Sequence, residues 1–344
     1  MNLVKVAIVG ASGYSGQELV RILMHHPGVD LVCVTSRQYA GQSLGEVYPR
    51  LKGHRLSDLR FSNSTVHEIV ATGAKFAFLA LPHGLAHEYA RPLLEAGLRV
   101  IDLSADFRIK DPAIYEEYYH GAHPAPELLP MSVYGLPEVY REEIRKANLI
   151  ASPGCYPTSI LLPLIPLLKK KLISPRGIAV ASMSGVSGAG RKAEIDYLFC
   201  ECNESARAYG VPKHRHLAEI EQELTNAAGV PVVISFTPHL IPVNRGIVTT
   251  IYADVEPGVD PAAITAALND AYCNEPFIRL AGEKGNADIK NVTGTNYLDL
   301  AWRYDKRTHR VVLMSAEDNI VKGASGQAVQ SLNLMCGWPE TLAL

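Results

Sequence analysis

No run of apolar residues approaches the roughly 18 to 20 that a membrane span needs, so the 344-residue chain gives no reason to expect a bilayer. The opening stretch MNLVKVAIVG is too short in its apolar run for a secretory leader, and it leads straight into a glycine-rich turn. Six cysteines are too sparse for a disulfide scaffold, which suits free thiols in a reducing cytoplasm. Neither sign of charge dominates: 33 Lys and Arg against 35 Asp and Glu leave a net charge of −2. That balance excludes bulk-charge attraction to nucleic acid or to an anionic membrane. Internal repeats, low-complexity tracts and long charged blocks are missing too. So is a Walker A motif: Gly185 to Gly190 has the right gap, but Arg191-Lys192-Ala193 follows where Lys then Ser or Thr is required.

What is present is an ordinary globular balance, 47% hydrophobic and 20% charged, enough for a sizeable core. At about 150 residues per domain the length predicts two domains. Leu3 to Val9, Asp30 to Val34, Lys75 to Leu81 and Arg99 to Leu103 read as strands, with helical spacing at Gln17 to His25 and His87 to Glu95 between them. This alternation predicts a doubly wound parallel α/β sheet. From about Asn148 the texture turns β-rich, with runs at Ile178 to Met183, Val232 to Phe236, Ile247 to Val255 and Val311 to Ser315. These read as a mixed sheet with helices at Ala218 to Ala227 and Pro261 to Tyr272, and a final helix at Gly326 to Met335.

Gly10, Gly13 and Gly16 follow the first strand and open the first helix. Glycine allows a tight turn and lets backbone approach a phosphate, which the helix N-terminus then attracts. The position between strand and helix carries the reading more than the spacing, which is G-x-x-G-x-x-G. The second strand ends Thr35-Ser36-Arg37. A dinucleotide with a free ribose 2′-OH calls for an acid there; a hydroxyl and a guanidinium suit a 2′-phosphate. The reading is NADP, against a solvated loop charge at Arg37.

Cys155 sits in Ser152-Pro-Gly-Cys-Tyr-Pro157, where glycine and proline enforce a sharp turn. If the apolar stretch from Ile160 to Leu168 is helical, the cysteine lies at its N-terminus, where the dipole favours a thiolate. Pro163 and Pro166 fall inside that stretch, so the helix is expected to be kinked, to start late or to be broken. Downstream, Lys213-His214-Arg215-His216 precedes a helix. Either imidazole could act as acid or base, and the cations could hold an anionic substrate. Cys200 and Cys202 with the two histidines could instead ligate zinc, but the spacing matches no familiar finger. Ser104-Ala-Asp106-Phe-Arg108 and Ser182 to Arg191 follow strands, and either could bind phosphate or line a nicotinamide pocket.

These motifs, in this order and followed by Glu317-Asp-Asn-Ile-Val-Lys-Gly-Ala-Ser-Gly-Gln327, resemble the semialdehyde dehydrogenases. Gly154-Cys-Tyr-Pro-Thr158 with His-Arg-His is similar to the N-acetyl-gamma-glutamyl-phosphate reductases of arginine biosynthesis in particular, over essentially the whole chain. The resemblance implies a Rossmann-type NADP domain over 1–150 plus 317–344, and an α+β catalytic and oligomerisation domain over 151–316. It implies that Cys155 attacks an acyl phosphate, that inorganic phosphate leaves a thioester, and that NADPH reduces this to the semialdehyde. His216, with His214 second, would manage the proton. The cofactor would be held by Gly10, Ser12, Gly13, Tyr14, Ser15, Gly16, Ser36, Arg37, Pro82, His83, Gly185 and Asn319. Ser104, Ser184, Arg108, Arg191 and Lys213 would contact the substrate. No metal is expected, and a homodimer or homotetramer is. Pro163 departs from related chains. Two other readings stay open: a reductase of aspartyl or aminoadipyl phosphate, since one methylene discriminates weakly, and an NADP sensor without chemistry.

Overall fold

In the computed structural model, which describes residues 3–344, the chain forms two compact units. The first comprises the chain up to Pro112, His123–Pro153 and Ala324–Leu344; the second comprises Ala113–Ala122 and Gly154–Gly323. The expected return of the tail at Glu317 therefore falls at Ala324. The short segment Ala113–Ala122 belongs with the second unit, although sequence alone left it in the first. No helix among the described residues is long and apolar enough to cross a membrane.

The first unit is built on a seven-stranded sheet of β1 (Val4–Val9), β2 (Val29–Thr35), β3 (Phe61–Ser62), β4 (Phe76–Leu79), β5 (Arg99–Asp102), β6 (Ser132–Tyr134) and β7 (Leu149–Ala151). Its order is β3-β2-β1-β4-β5-β7-β6 and every pair is parallel. Alternation along β1 serves both faces. Val6 and Ile8 join a core with Leu19, Ile144 and Leu332, whereas Ala7 and Val9 join one with Ile69, Ala90 and Leu93. Helices thus cover both sides, and the tail helix Gly326–Met335 packs on Tyr14–Leu23 and Pro137–Lys146. Chain order reverses between β2-β1 and β4-β5, and in open α/β sheets ligands bind at that switch point, beyond the strands' C-terminal ends.

The second unit has a mixed sheet of β8 (Ala179–Gly185), β9 (Arg207–Ala208), β10 (Ser235–Ile241), β11 (Ile247–Asp254), β12 (Ile278–Gly282), β13 (Leu298–Asp305) and β14 (Arg310–Glu317), ordered β12-β13-β14-β11-β8-β10-β9. The apolar run at Val232 becomes strand only from Ser235. The helix Cys155–Lys169 packs on β11 and β14 and against the helices His216–Ala228 and Pro261–Tyr272. Met183 and Tyr252 remain exposed on these strands.

The helix Cys155–Lys169 corrects the expectation of a broken segment: it starts at Cys155 and runs through both internal prolines. Pro157 sits in the first turn, where the backbone N–H has no intrahelical partner anyway. Pro163 orphans the Ser159 carbonyl four residues back, and that oxygen accepts from Ser315 Oγ at 2.6 Å. Pro166 orphans the Leu162 carbonyl, which accepts from Tyr272 Oη at 2.5 Å. Tertiary donors replace both missing helical bonds.

Candidate active site

The glycine turn divides its work among its three glycines. Gly10 has φ +85°, and a Cβ there would lie 2.4 Å from the Ala80 carbonyl oxygen, so the turn accepts no side chain. A Cβ on Gly16 would meet the Gly10 oxygen at 2.4 Å, because the helix crosses close to the strand. Gly13 is different: the nearest atom to its Cβ position is 4.0 Å away. It is the N-cap of Tyr14–Leu23 and presents open backbone at a helix N-terminus, the form of a phosphate cradle. The turn is fixed from several sides. The Gly10 N–H donates to Thr35 Oγ1 (3.0 Å), Ser36 Oγ to Ser12 Oγ (2.9 Å), and Ser325 Oγ to the Ser15 carbonyl (2.8 Å). Tyr14 and Arg37 are exposed, Arg37 just beyond the end of β2.

Pro82 and His83 follow β4, and His83 Nδ1 accepts the Ala105 N–H at 3.0 Å. Asp106, which the motifs left without a role, accepts from the Gly84 and Ala86 N–H groups and shapes this loop. Two residues expected to contact the substrate lie in this unit, each with partners of its own. Ser104 is buried and donates to Asp102 Oδ2 at 2.7 Å. Arg108 is buried and donates from Nε to the Ser152 carbonyl (2.7 Å) and from Nη2 to the Leu103 carbonyl (2.9 Å). Those carbonyls come together only in the folded sheet, and they make Arg108 a brace of the first unit.

The second unit holds a cavity of about 470 Å³, lined by Cys155, Tyr156, Ser184, Gly185, Tyr209, Lys213, His214, Arg215 and His216 among others. Gly154 is the N-cap of the cysteine helix, so Cys155 is its first residue and stands at the positive end. The Gly154 N–H donates to Glu219 Oε1 at 2.9 Å. Glu219 lies one turn beyond His216, so one buried carboxylate ties the start of the cysteine helix to the start of the histidine helix. The two imidazoles both reach the cavity, with centroids 5.0 Å apart. His214 Nδ1 accepts the His216 N–H. Burial, then the charge of Arg215, push the His214 imidazole down to about 4. Tyr156 stacks edge-on against both rings, and its hydroxyl lies 2.8 Å from that of Tyr209. Burial raises both phenols, Tyr209 to about 12, so both are neutral donors.

Beside the cavity, Asn319 Nδ2 donates to Ser187 Oγ (3.0 Å) and its Oδ1 accepts the Gly246 N–H (2.7 Å). Gly185 is crowded by the Val243 oxygen at 2.8 Å, which only glycine tolerates. Arg191 is exposed and off the cavity wall; Lys192 lines it instead. Lys213 reaches the wall but is held by Glu117 at 2.8 Å and lies over the Tyr118 ring. Arg207, Tyr209, Tyr118 and His120 line the cavity although the motifs gave them no role; only the fold brings them there, beside Arg215 of the histidine motif. Cys200 is exposed, whereas Cys202 is buried and donates to the Asp196 carbonyl. Among the described residues no three His, Cys, Asp or Glu converge as a metal site would need.

A glycine turn at a helix N-terminus in one unit and a cavity lined by a cysteine and two histidines in the other fit a nicotinamide-dependent dehydrogenase. Residues 5–147 match the family model for the semialdehyde dehydrogenase NAD binding domain, and 155–319 match that for the semialdehyde dehydrogenase dimerisation domain. An N-acetyl-gamma-glutamyl-phosphate reductase of Akkermansia muciniphila is 63% identical over 344 residues, 100% of this chain and 99% of that protein. One of Desulfotalea psychrophila is 49% identical over 339 residues, covering 98% and 97%. The chain belongs to the N-acetyl-gamma-glutamyl-phosphate reductases of the semialdehyde dehydrogenase family. Among solved structures, aspartate semialdehyde dehydrogenase II of Vibrio cholerae superposes with TM-score 0.73 at 20% identity, over 98% of this chain and 99% of that one. The Candida albicans enzyme solved with NADP gives 0.69 at 16% identity, over 99% and 100%. At those identities the likeness is one of fold.

Proposed function

We propose that the protein catalyses the NADPH-dependent reduction of N-acetyl-L-glutamyl 5-phosphate to N-acetyl-L-glutamate 5-semialdehyde. The observation that carries this is a cavity lined by Cys155, His214 and His216 together, in a chain 63% identical to a reductase of that name. The Cys155 thiol gives its proton to His216, and the sulfur attacks the acyl carbon. The bond from that carbon to the phosphate oxygen breaks; phosphate departs with the electron pair and takes the proton from His216. Bound NADPH supplies the hydride that reduces the thioester. The resulting alkoxide collapses, the carbon–sulfur bond breaks, and the aldehyde leaves Cys155 as a thiolate, which takes a proton from solvent before the next turnover. His214, with its pKa lowered to about 4, is neutral at pH 7 and unsuited to carrying the proton. It serves as a hydrogen-bond donor through Nε2, since Nδ1 already accepts.

The glycine turn, with open backbone at Gly13, fits a pyrophosphate, and Ser36 and Arg37 at the end of β2 fit a 2′-phosphate. This favours NADP over NAD. We place the enzyme in the cytoplasm as a homodimer or homotetramer assembled through the second unit. The decisive assay is phosphate-dependent reduction of NADP by N-acetylglutamate 5-semialdehyde, with aspartate semialdehyde in parallel. Wild type should turn over the first substrate and Cys155→Ser neither. Equal rates in both proteins would remove Cys155 from the reaction, and preference for aspartate semialdehyde would reassign the substrate.

A further inference from the structure

Four lysines and arginines line the cavity, and they differ in what else holds them. Lys192 lies 3.8 Å from Glu194, Arg207 3.3 Å from Asp196, and Lys213 2.8 Å from Glu117 with its ammonium over the Tyr118 ring. Arg215 is the exception: among the described residues it has no carboxylate within ion-pair reach, though it stands between the two histidines that line the same wall. Recruiting any of the other three to an anion means breaking or sharing a pair. A guanidinium is permanently charged and can grip a carboxylate or a phosphate through two parallel hydrogen bonds. The loop that carries it is already ordered: Lys213 is pinned to Glu117 and His214 is bonded to the His216 N–H. Little conformational freedom is then lost when an anion arrives.

We propose that Arg215 is the anion-binding residue of the substrate cavity. This rests on the reading above, in which the substrate carries an α-carboxylate and a phosphate; Arg215 takes one of them. The sequence allowed either cation of the Lys213–His216 motif to hold an anion, and the resemblance named Arg108, Arg191 and Lys213; the pairing of the cavity's cations singles out Arg215.

The test is Arg215→Ala and Arg215→Lys in the phosphate-dependent oxidation of N-acetylglutamate 5-semialdehyde, with KM and kcat measured separately for the semialdehyde and for inorganic phosphate. Calorimetric titration of both proteins with inorganic phosphate and with N-acetyl-L-glutamate accompanies it. In Arg215→Ala, KM for one of the two anions should rise about tenfold to a hundredfold, with kcat much less affected and partial recovery in Arg215→Lys. A rise for the semialdehyde assigns the carboxylate; a rise for phosphate assigns the phosphoryl group. Unchanged KM for both, with unchanged calorimetric affinities, overturns the proposal. If wild type fails to oxidise the semialdehyde, the functional reading falls, and the phosphate titration of wild type against Arg215→Ala still decides whether Arg215 binds anions.

Discussion

Gly323 shows how little room the nucleophile has. It lies in the π-helical turn Val321–Ser325, and a Cβ there would stand 2.8 Å from Cys155 Cβ and 3.0 Å from Glu317 Oε1. Glu317 Oε1 ends a long side chain, but Cys155 presents its Cβ and, at 3.1 Å, its Cα, so a methyl group must displace the cysteine or the turn. The prediction is that Gly323→Ala lowers kcat by about a hundredfold, the scale of an ångström-sized misplacement of a reacting group. NADP binding, measured by fluorescence titration, should stay near wild type. A variant retaining more than a third of the activity would show that the turn yields without moving the thiol. Gly323 was invisible as a functional residue in the sequence, because its constraint comes from a side chain far away along the chain. The glycines at 10, 13 and 16 were legible as a turn because they stand together between a strand and a helix, although the Ala80 carbonyl that crowds Gly10 comes from far along the chain. The bracing role of Arg108 was hidden for the same reason as Gly323: the Ser152 and Leu103 carbonyls close around it only in the folded sheet.

The same contrast holds for whole elements. The helices His87–Glu95, Pro261–Tyr272 and Gly326–Met335 stand where their apolar spacing put them. The helix Pro137–Lys146 went unseen, since only Pro137 and Ile144 are buried in it and no broad stripe shows. The cysteine helix is the instructive case, because two prolines argue against it locally and two distant hydroxyls restore the lost bonds. Ser315→Ala should leave the Ser159 carbonyl without its donor, and Tyr272→Phe the Leu162 carbonyl. Each should destabilise the second unit by about 1–3 kcal/mol in urea unfolding. Pro163→Ala returns a backbone N–H to the Ser159 carbonyl, so it should recover part of the loss in the Ser315→Ala background and none of it in the Tyr272→Phe background. Equal recovery in both backgrounds would mean that proline removal acts on the helix in general rather than on one carbonyl.

At the scale of the whole molecule, stability carries two proton linkages of opposite sign, one in each unit. Asp102 is fully buried at the end of β5. Burial, then the charge of Asp106, push its carboxyl up to about 7 against 3.8 when unfolded. Between those values the native state holds a proton that the unfolded chain releases, so this group's contribution is complete at low pH and is lost as pH rises toward 7. His214 works the other way: held near 4 by burial against 6.5 when unfolded, it contributes fully above 6.5, and the contribution is lost as pH falls toward 4. From about pH 4 to 6.5 the two slopes, each about 1.4 kcal/mol per pH unit, oppose one another. Single substitutions should unmask them. Asp102→Asn keeps an acceptor for the Ser104 N–H and removes the titration, so its stability relative to wild type should climb with pH between 4 and 7 and level off on either side. His214→Gln should show the reverse trend, falling further below wild type as pH rises from 4 to 6.5. The measurement is urea unfolding of the three proteins at half-unit pH steps, read as differences from wild type. A difference for Asp102→Asn that stays constant from pH 4 to 8 would mean the carboxylate is charged in the folded protein throughout, and that Ser104 and the surrounding backbone carry its burial.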